Sequence, residues 1–390
     1  MKYPRTVILT GATGFLGGHL LATLIKRGDR LVVLGRAHGD ENLSSRIQRL
    51  LTWFGLSGRA ASVECFEVDL RKPACGLPKN KYDLLCSCRG PIVHCASDTR
   101  FSEYKRVEIT EANVGGLEGI LGLAADSSAS FFHYISTAYA AAEREGVCPE
   151  ELGVPSAHAN VYEETKALAE ALVAERCRRE SVPFTIIRPS IVYGDSRSGR
   201  ATRFNALYYP VKSLSFLRDV YTADLKLHGG NKARACAISL ADGVLSLPMR
   251  FFLPRLGRIN LIPIDYFAEA VSAVMERAVN GAVYHLTSDN PKSFDELAEY
   301  CLKYLRIEGI EIIEGPINGT RLSPPEALFA RFMEPYLPYL ADNRRFERAS
   351  ADRATASLSP PEFTYDIFER CMNYATSVGW EEGPRMNTLS

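Results

Sequence analysis

The chain has 390 residues, with 46 basic and 46 acidic side chains and a formal net charge of zero at pH 7. Hydrophobic residues make up 46% of the sequence and charged residues 24%, which are ordinary values for a globular protein. The balanced charge gives no reason to expect a nucleic acid as partner. No apolar run reaches the length of about 18 residues that a membrane-spanning helix needs.

The first apolar run begins at Thr6, which leaves too few residues before it for a signal or transit peptide. We therefore expect a cytoplasmic protein without a transmembrane segment, and peripheral contact with a membrane stays open. Most of the ten cysteines lie in apolar runs, where a free thiol behaves as a small hydrophobic group. Cys86 and Cys88 form a lone C-x-C pair that lacks the second half of a zinc site, so we expect no bound metal.

Short apolar runs alternate with helical patterns through the first half of the chain. The predicted strands are TVILT from Thr6, RLVVLG from Arg30, SVECFEV from Ser62, PIVHCAS from Pro91, SFFHYIST from Ser130 and FTIIRPS from Phe184. Helical patterns lie near residues 15–28, 104–125 and 160–180. Most strand runs are continuously apolar, which is typical of a parallel sheet covered on both faces. The alternation predicts an α/β fold with a doubly wound, parallel Rossmann sheet.

The pattern changes after Tyr193. Residues 194–263 are interpreted as loop-rich, and a helix from Tyr266 to Val279, a strand (AVYHLTS) and a helix from Phe294 to Leu305 follow. We therefore divide the chain into a Rossmann domain, residues 1–193, and a smaller substrate-binding lobe, residues 194–390. The lobe is expected to be partly interleaved with the Rossmann domain and to end in a helical segment.

A glycine-rich turn follows the first strand. The segment TGATGFLGGHL places Gly11, Gly14 and Gly17 in a G-x-x-G-x-x-G pattern that begins a helix. Glycines permit a tight turn and a close backbone approach to a pyrophosphate, and the helix N-terminus directs its N–H groups at that anion. We expect cofactor contacts from this turn at Gly11, Thr13, Gly14, Phe15, Leu16 and Gly17, and a purely structural turn is the alternative.

The end of the second strand indicates which dinucleotide binds. Enzymes that select NAD usually carry Asp or Glu there, whereas VVLGRAHG offers Gly35 and Arg36. A guanidinium matches a 2′-phosphate in charge and geometry, so we expect NADP(H), with Arg46 as a second contact. A solvated arginine is the alternative. Asp69 and Leu70, after the third strand, suit a contact to the adenine amino group or a plain turn.

The predicted catalytic residues are Thr137, Tyr162 and Lys166. Thr137 ends the fifth strand (YISTAY), and YEETK sets Tyr162 and Lys166 four residues apart on one helical face. We expect the lysine ammonium to lower the pKa of the phenol from its reference value of about 10, so that it donates a proton near neutral pH. Thr137 would hold the same substrate oxygen. An amphipathic surface tyrosine is the plainer interpretation of Tyr162.

These residues resemble the extended short-chain dehydrogenases/reductases, in the branch of fatty acyl-CoA reductases and thioester-reductase domains. The resemblance covers about residues 5–305 and rests on TGATGFLG, IVHCASDTRFSEYKRVEITEANVGG, ISTAYAA, NVYEETKALAEALV, IIRPSIVYGDSRSG, INLIPIDYFAEAV and VYHLTSDNP. It implies cofactor contacts at Tyr162 and Lys166, and also at Ala96, Ser97, Asn113, Pro189, Ser190 and Ile191. On a plainer interpretation, Ala96 and Ser97 only allow close packing, and Asn113 bonds backbone.

The resemblance implies NADPH-dependent reduction of an acyl thioester, on coenzyme A or a carrier protein, to an aldehyde or alcohol. The aromatic segment between Phe204 and Phe252 is a candidate acyl channel, with ordinary packing as the alternative. A keto- or hydroxy-lipid or steroid dehydrogenase, or a nucleotide-sugar epimerase or dehydratase, would use the same fold. A non-catalytic dinucleotide sensor typically loses the Tyr or the Lys, and both are present here. No motif is assigned after about residue 320, so the role of that segment stays open.

Overall fold

The computed structural model describes residues 5–141, 146–153, 158–252, 257–315, 321–340 and 342–384. The strands are β1 Thr6–Thr10, β2 Arg30–Gly35, β3 Val63–Glu67, β4 Ile92–His94, β5 Phe132–Ile135, β6 Val147–Cys148, β7 Phe184–Pro189, β8 Ile191–Tyr193, β9 Ser239–Ala241, β10 Val244–Phe252, β11 Arg258–Ile259, β12 Leu261–Pro263, β13 Ala282–Leu286, β14 Lys292–Ser293, β15 Ile307–Ile313 and β16 Arg345–Phe346. The helices are α1 Phe15–Arg27, α2 Leu43–Trp53, α3 Lys79–Cys86, α4 Arg106–Thr110, α5 Gly116–Asp126, α6 Val161–Arg179, α7 Tyr208–Leu227, α8 Asn231–Ala235, α9 Ile264–Arg277, α10 Phe294–Leu305, α11 Pro324–Met333, α12 Leu337–Leu340, α13 Ala349–Thr355 and α14 Tyr365–Ser377.

Seven parallel strands form the main sheet, in the order β13-β7-β5-β4-β1-β2-β3. The prediction of a doubly wound parallel sheet is confirmed, and the six strands predicted from the first half all lie in it. The seventh, β13, comes from beyond residue 193 and pairs with β7, with Ala282 opposite Thr185. The sheet therefore draws on both parts of the chain.

The continuously apolar strands pack against helices on both faces. Along β1, Val7 and Leu9 point into a core shared with α1, α2 and α9, whereas Ile8 points into a core shared with α5 and α6. Successive side chains of a strand alternate between faces, so an apolar run without interruption fills both layers. This arrangement leaves the carboxyl ends of the strands as one edge on which loop residues converge.

The interpretation of residues 194–263 as loop-rich is wrong. They contain α7, a helix of 20 residues, and the nine-residue strand β10. The buried residues Tyr208, Val211, Leu214 and Leu217 recur at a helical spacing. Pro210 conceals the pattern, but it lies in the first turn, where a backbone N–H has no intrahelical partner.

The second half of the chain forms its own apolar core. Strands β15, β10 and β9 make a small sheet, and α7, α10, α11 and α14 pack on it. Leu217, Leu297, Phe329 and Phe368 of the helices share a buried core with Leu245 of β10. Within the described residues, no helix combines the length and the apolar character that crossing a bilayer requires.

Candidate functional site

The glycine-rich turn between β1 and α1 is closed tightly on itself. Gly11 has a φ of +72°, and a Cβ added to it would lie 2.6 Å from the backbone N of Ala96. A Cβ on Gly17 would lie 2.1 Å from the carbonyl oxygen of Gly11, so a larger residue would force the turn apart. Gly14 is the N-cap of α1. The turn therefore brings the free N–H groups of α1 to the edge of the sheet, where a pyrophosphate fits.

Asn113 joins the segment after β4 to helix α6. Its amide Nδ2 donates to the carbonyl of Asp98 at 2.9 Å and to Thr165 Oγ1 at 3.0 Å. Its Oδ1 accepts from Ser97 Oγ at 3.0 Å and from the backbone N of Asp98 at 2.7 Å. These bonds favour a positioning role for Asn113, because its amide group is already engaged within the protein. Ala96 donates its backbone N–H to Thr10 Oγ1 at 3.2 Å.

Arg36 and Arg46 lie together beyond the end of β2. Arg36 is exposed, and Arg46 Nη1 donates to its carbonyl oxygen at 2.8 Å. The Asp69 carboxylate accepts from Arg71 Nε at 2.9 Å and from Arg71 Nη2 at 3.1 Å, which lowers the pKa of Asp69. The Asp69 carboxylate therefore already has a cationic partner, and an adenine amino group would have to share the carboxylate with Arg71. Leu70 packs against the core beneath α5.

Thr137, Tyr162 and Lys166 converge at the carboxyl ends of β5 and β4. The side chains of Thr137 and Tyr162 lie close together, and Tyr162 is the second residue of α6. Burial raises the pKa of the Tyr162 phenol above its ordinary value, and the neighbouring Thr137 hydroxyl opposes that rise. The expectation that Lys166 lowers this pKa is therefore wrong for the described arrangement. The phenol instead keeps its proton at neutral pH, which is the form that a proton donor needs.

Lys166 is held by β5, the strand that precedes Thr137. Its Nζ donates to the carbonyl of Ile135 at 2.7 Å and to the hydroxyl of Tyr134 at 3.2 Å. Burial lowers the pKa of the Lys166 ammonium to about 8. Tyr134 was not singled out in the sequence, because a buried tyrosine in an apolar strand carries no signal of its own.

A serine hydroxyl without a described partner lines the same cavity as the glycine-rich turn. Ser190 follows β7, is 5% exposed, and its Oγ has no hydrogen-bond partner among the described residues. A buried hydroxyl normally has a partner, so this group is available to a bound ligand. Pro189 and Ile191, the two residues that flank Ser190, line this cavity as well.

One cavity of about 1180 Å³ contains most of the predicted site. The predicted residues that line it are Gly11, Gly14, Phe15, Leu16, Gly17, Ser97, Thr137, Tyr162, Lys166, Pro189, Ser190 and Ile191. Those that do not line it are Thr13, Arg36, Arg46, Asp69, Leu70, Ala96 and Asn113. The cavity continues past apolar side chains of α7, β10, α10 and α11, including Leu214, Met249, Leu297 and Phe329.

Several aromatic residues beside Tyr162 belong to no motif of the sequence. The rings of Phe101 and Tyr162 are 5.9 Å apart, and Tyr336 and Tyr339 lie 6.1 and 5.8 Å from Phe101. The two C-terminal tyrosines come from MEPYLPYL, where aromatic residues alternating with prolines were the available signal.

Comparison with known proteins identifies the family. The NAD-binding family model described as Male sterility protein matches residues 9–271. A linear gramicidin synthase chain of Brevibacillus parabrevis is 26% identical over 304 residues, which are 75% of this chain and 5% of that protein. The large subunit of L-2-aminoadipate reductase of Eremothecium gossypii is 26% identical over 339 residues, 81% of this chain and 22% of that protein.

A solved structure matches nearly the whole chain. The terminal R domain from the myxalamid PKS-NRPS biosynthetic pathway superimposes with a TM-score of 0.73 at 23% identity, covering 99% of this chain and 94% of that one. This chain spans no more than 22% of the length of the two curated relatives above. Since the family model matches well over half of its residues, the chain belongs to this NAD-binding family, in the thioester-reductase branch of the extended short-chain dehydrogenases/reductases, a group of nicotinamide-dependent oxidoreductases.

Proposed function

We propose that this chain reduces an acyl thioester with NADPH. The observation that carries the proposal is a single cavity that joins the glycine-rich turn, the three catalytic candidates and a long apolar wall. A nucleotide can lie on the turn while an acyl group occupies the apolar part, so both reactants meet beside Tyr162. The similarity to an L-2-aminoadipate reductase and to an R domain of a biosynthetic pathway supports reduction as the reaction.

The residues around Tyr162 suit the chemistry of a thioester carbonyl. NADPH, when bound, would supply a hydride to the carbonyl carbon. Thr137 and Tyr162 hydrogen-bond the oxygen as negative charge develops on it, and the Tyr162 phenol donates its proton there. As the carbon–sulfur bond breaks, the oxygen returns its proton to Tyr162 and the sulfur leaves as a thiolate, which takes a proton from solvent. An aldehyde remains, and a second hydride would give the alcohol. The buried ammonium of Lys166 keeps the site cationic and, in this proposal, also binds the nicotinamide ribose.

The choice of NADPH rests on Arg36. Its exposed guanidinium follows β2, where the adenosine ribose is expected, and Arg46 holds its backbone. A 2′-phosphate would gain charge-assisted hydrogen bonds from these groups. The remaining predicted contacts, at Thr13, Asp69, Leu70, Ala96, Ser97, Asn113 and the segment Pro189–Ile191, belong to this proposal as well.

The substrate part of the proposal rests on the second half of the chain. Leu207, Leu214, Met249 and Phe251, from the segment proposed as an acyl channel, line the cavity together with residues of α10 and α11. We therefore assign residues 194–390 to substrate binding and residues 1–193 to the nucleotide. The thiol carrier is coenzyme A or a carrier protein, since both present an acyl group on the same phosphopantetheine thiol.

Product analysis tests the proposal. The purified chain is incubated with NADPH and, separately, an acyl-CoA, the corresponding ketone, a hydroxysteroid and a nucleotide sugar. Thiol release is followed with a chromogenic reagent, and aldehyde and alcohol are identified by mass spectrometry. We expect thiol release that depends on NADPH and matches the aldehyde and alcohol formed. If NADPH is oxidised with the ketone and no acyl thioester releases a thiol, the chain is a ketone reductase instead.

A further inference from the structure

The C-terminal part of the chain reaches the proposed active site. Tyr336, Pro338, Tyr339 and Leu340 line the same cavity as Tyr162, although they lie more than 170 residues later in the sequence. They belong to the end of a 3₁₀ turn, Glu334–Tyr336, and to the short helix α12. No motif in the sequence indicates a role for this segment.

Tyr339 connects to the catalytic tyrosine through aromatic contacts. Its ring lies 5.8 Å from the ring of Phe101, which in turn lies 5.9 Å from the ring of Tyr162. Tyr339 also makes an edge-to-face contact with Tyr139, at 5.4 Å and an interplanar angle of 86°. Tyr139 follows Thr137 by two residues. The ring of Tyr339 thus lies between the two segments that carry Thr137 and Tyr162.

A hydrogen bond makes a second connection to the catalytic helix. Asn160 is the N-cap of α6, and its Oδ1 accepts from the backbone N of Glu163 at 3.0 Å. Its Nδ2 donates to the hydroxyl of Tyr339 at 2.6 Å. Asn160 therefore caps the helix with one atom and is oriented by Tyr339 through the other. Tyr162 lies in the first turn of this helix, so the cap stabilises the stretch of backbone from which the phenol extends.

The segment that carries Tyr339 is fixed to the rest of the chain. A Cβ on Gly257 would lie 1.8 Å from the carbonyl oxygen of Leu340, and the backbone N of Arg258 donates to the carbonyl of Asp342 at 2.9 Å. Arg344 Nη1 donates to the carbonyl of Ala141 at 2.9 Å, just after the turn that begins at Thr137. These contacts fix the chain immediately after Tyr339.

We propose that Tyr339 is a positioning residue for the proton transfer by Tyr162. This inference rests on the function proposed above, because it needs Tyr162 as the proton donor. The Tyr339 hydroxyl orients Asn160, Asn160 fixes the first turn of α6, and the Tyr339 ring supports Tyr162 through Phe101. Loss of the hydroxyl leaves substrate and cofactor sites in place but moves the phenol from the oxygen that it protonates. Small displacements of a reacting group lower rates by up to about a hundredfold.

The test compares Tyr339→Phe with Tyr365→Phe. Tyr365 serves as the control because it lies on α14 and its hydroxyl donates to Glu369 at 3.1 Å, outside the cavity. We expect Tyr339→Phe to lower kcat about tenfold and to leave the KM for thioester and the Kd for NADPH within twofold. The solvent isotope effect on kcat should increase, because proton transfer becomes slower relative to the other steps. Tyr365→Phe should leave all four quantities unchanged.

A double-mutant cycle with Asn160→Ser identifies the route of the effect. Serine retains a capping oxygen but does not reach Tyr339, so Tyr339→Phe should add little in that background. An unchanged kcat in Tyr339→Phe, or additive losses in the double variant, would overturn the positioning role. Tyr162→Phe is measured in parallel. If it stays active, the proposed proton donor is wrong; if it is inactive while Tyr339→Phe is normal, only the role of Tyr339 is wrong.

Discussion

Arg188 and Glu170 form a buried ion pair behind the proposed catalytic residues, with Arg188 Nη2 2.6 Å from Glu170 Oε2. Arg188 Nε also donates to Glu170 Oε1 at 2.9 Å, and the same oxygen accepts from Ser136 Oγ at 2.5 Å. Ser136 precedes Thr137, Glu170 lies one turn after Lys166, and Arg188 precedes Pro189. One carboxylate therefore connects β5, α6 and β7 at the points where each contributes to the site.

Glu170→Gln should destabilise the protein strongly. The substitution leaves the guanidinium of Arg188 buried without an anionic partner, and breaking a buried pair in this way costs about 3–5 kcal/mol. Urea unfolding measures the change in the free energy of unfolding. Glu175→Gln, on an exposed turn of the same helix, is the control, since its pair with Arg179 should contribute less than about 1 kcal/mol. A loss below about 1 kcal/mol for Glu170→Gln would contradict the central role of this carboxylate.

Tyr162→Phe should remove turnover while nearly retaining cofactor binding. The ring still packs against Phe101, but the proton donor is lost, and proton-transfer catalysis is worth about a hundredfold to ten-thousandfold. Steady-state kinetics and a fluorescence titration with NADPH measure the two quantities. Tyr82→Phe, which removes the hydroxyl that donates to Asp126 away from the cavity, serves as the control. A variant with more than half of the original rate would show that Tyr162 is not the donor.

The activity should fall as the pH rises through about 8. Burial lowers the pKa of Lys166 to about 8, so its ammonium is present below that pH and is lost above it. If the ammonium binds cofactor and keeps the site cationic, kcat/KM should decrease above neutral pH with a midpoint at about pH 8. The residual activity of Lys166→Met should not show this decrease. A decrease with the same midpoint in the variant would show that another group titrates there.

The same pKa predicts how stability depends on pH. Between about 8 and 10.5 the unfolded chain binds the Lys166 proton and the folded chain does not. The free energy of unfolding of the unaltered protein should therefore rise with pH relative to that of Lys166→Met, by about 3 kcal/mol over this window. Urea unfolding of both proteins at pH 7, 8.5 and 10 measures the difference. A constant difference across the three pH values would place the pKa of Lys166 near its ordinary value.

The sequence predicted the elements whose signals are local. Continuous apolar runs and the glycine spacing predicted the strands of the sheet and the turn at Gly11–Gly17, because each signal reflects the contacts of its own segment. The position of Lys166 was predicted, but its bonds to Tyr134 and Ile135 were not, since they join residues more than 30 positions apart. The phenol pKa was misjudged for a related reason: burial, which raises it, depends on neighbours that the sequence does not show.

Other features were not predicted, because their sequence patterns are weak or because they depend on residues far apart in the chain. The helix α2 has Asn42 as its N-cap and buries Leu43, Ile47, Leu50 and Leu51, an amphipathic pattern interrupted by several polar residues. Tyr339 and Asn160 are far apart in the sequence, and they meet only because the chain folds back from the second lobe to the start of α6. No spacing within the sequence predicts a contact of this kind, because it is produced by tertiary packing alone.

Arg36→Ala should remove much of a preference for NADPH over NADH. The 2′-phosphate is close to a dianion at neutral pH, and a hydrogen bond to a charged group contributes about 1.5–3 kcal/mol. That difference corresponds to roughly a tenfold to hundredfold preference. NADH lacks the phosphate, so its kcat/KM should change little. Arg49→Ala is the matched control and should leave the preference unchanged. Arg49 lies on the same helix as Arg46, but its guanidinium already pairs with the Glu41 carboxylate at 2.8 Å.

The two cofactors separate charge recognition from stacking on the adenine. If Arg36 only stacks on the adenine face, its loss should reduce kcat/KM for NADPH and NADH by similar factors. If it binds the phosphate, the loss is confined to NADPH and diminishes at high salt, because the pair is exposed and therefore screened. Arg46→Ala should show a smaller effect of the same kind, since Arg46 also holds the backbone of Arg36. A preference for NADH in the unaltered protein would show that the end of β2 does not select the phosphate.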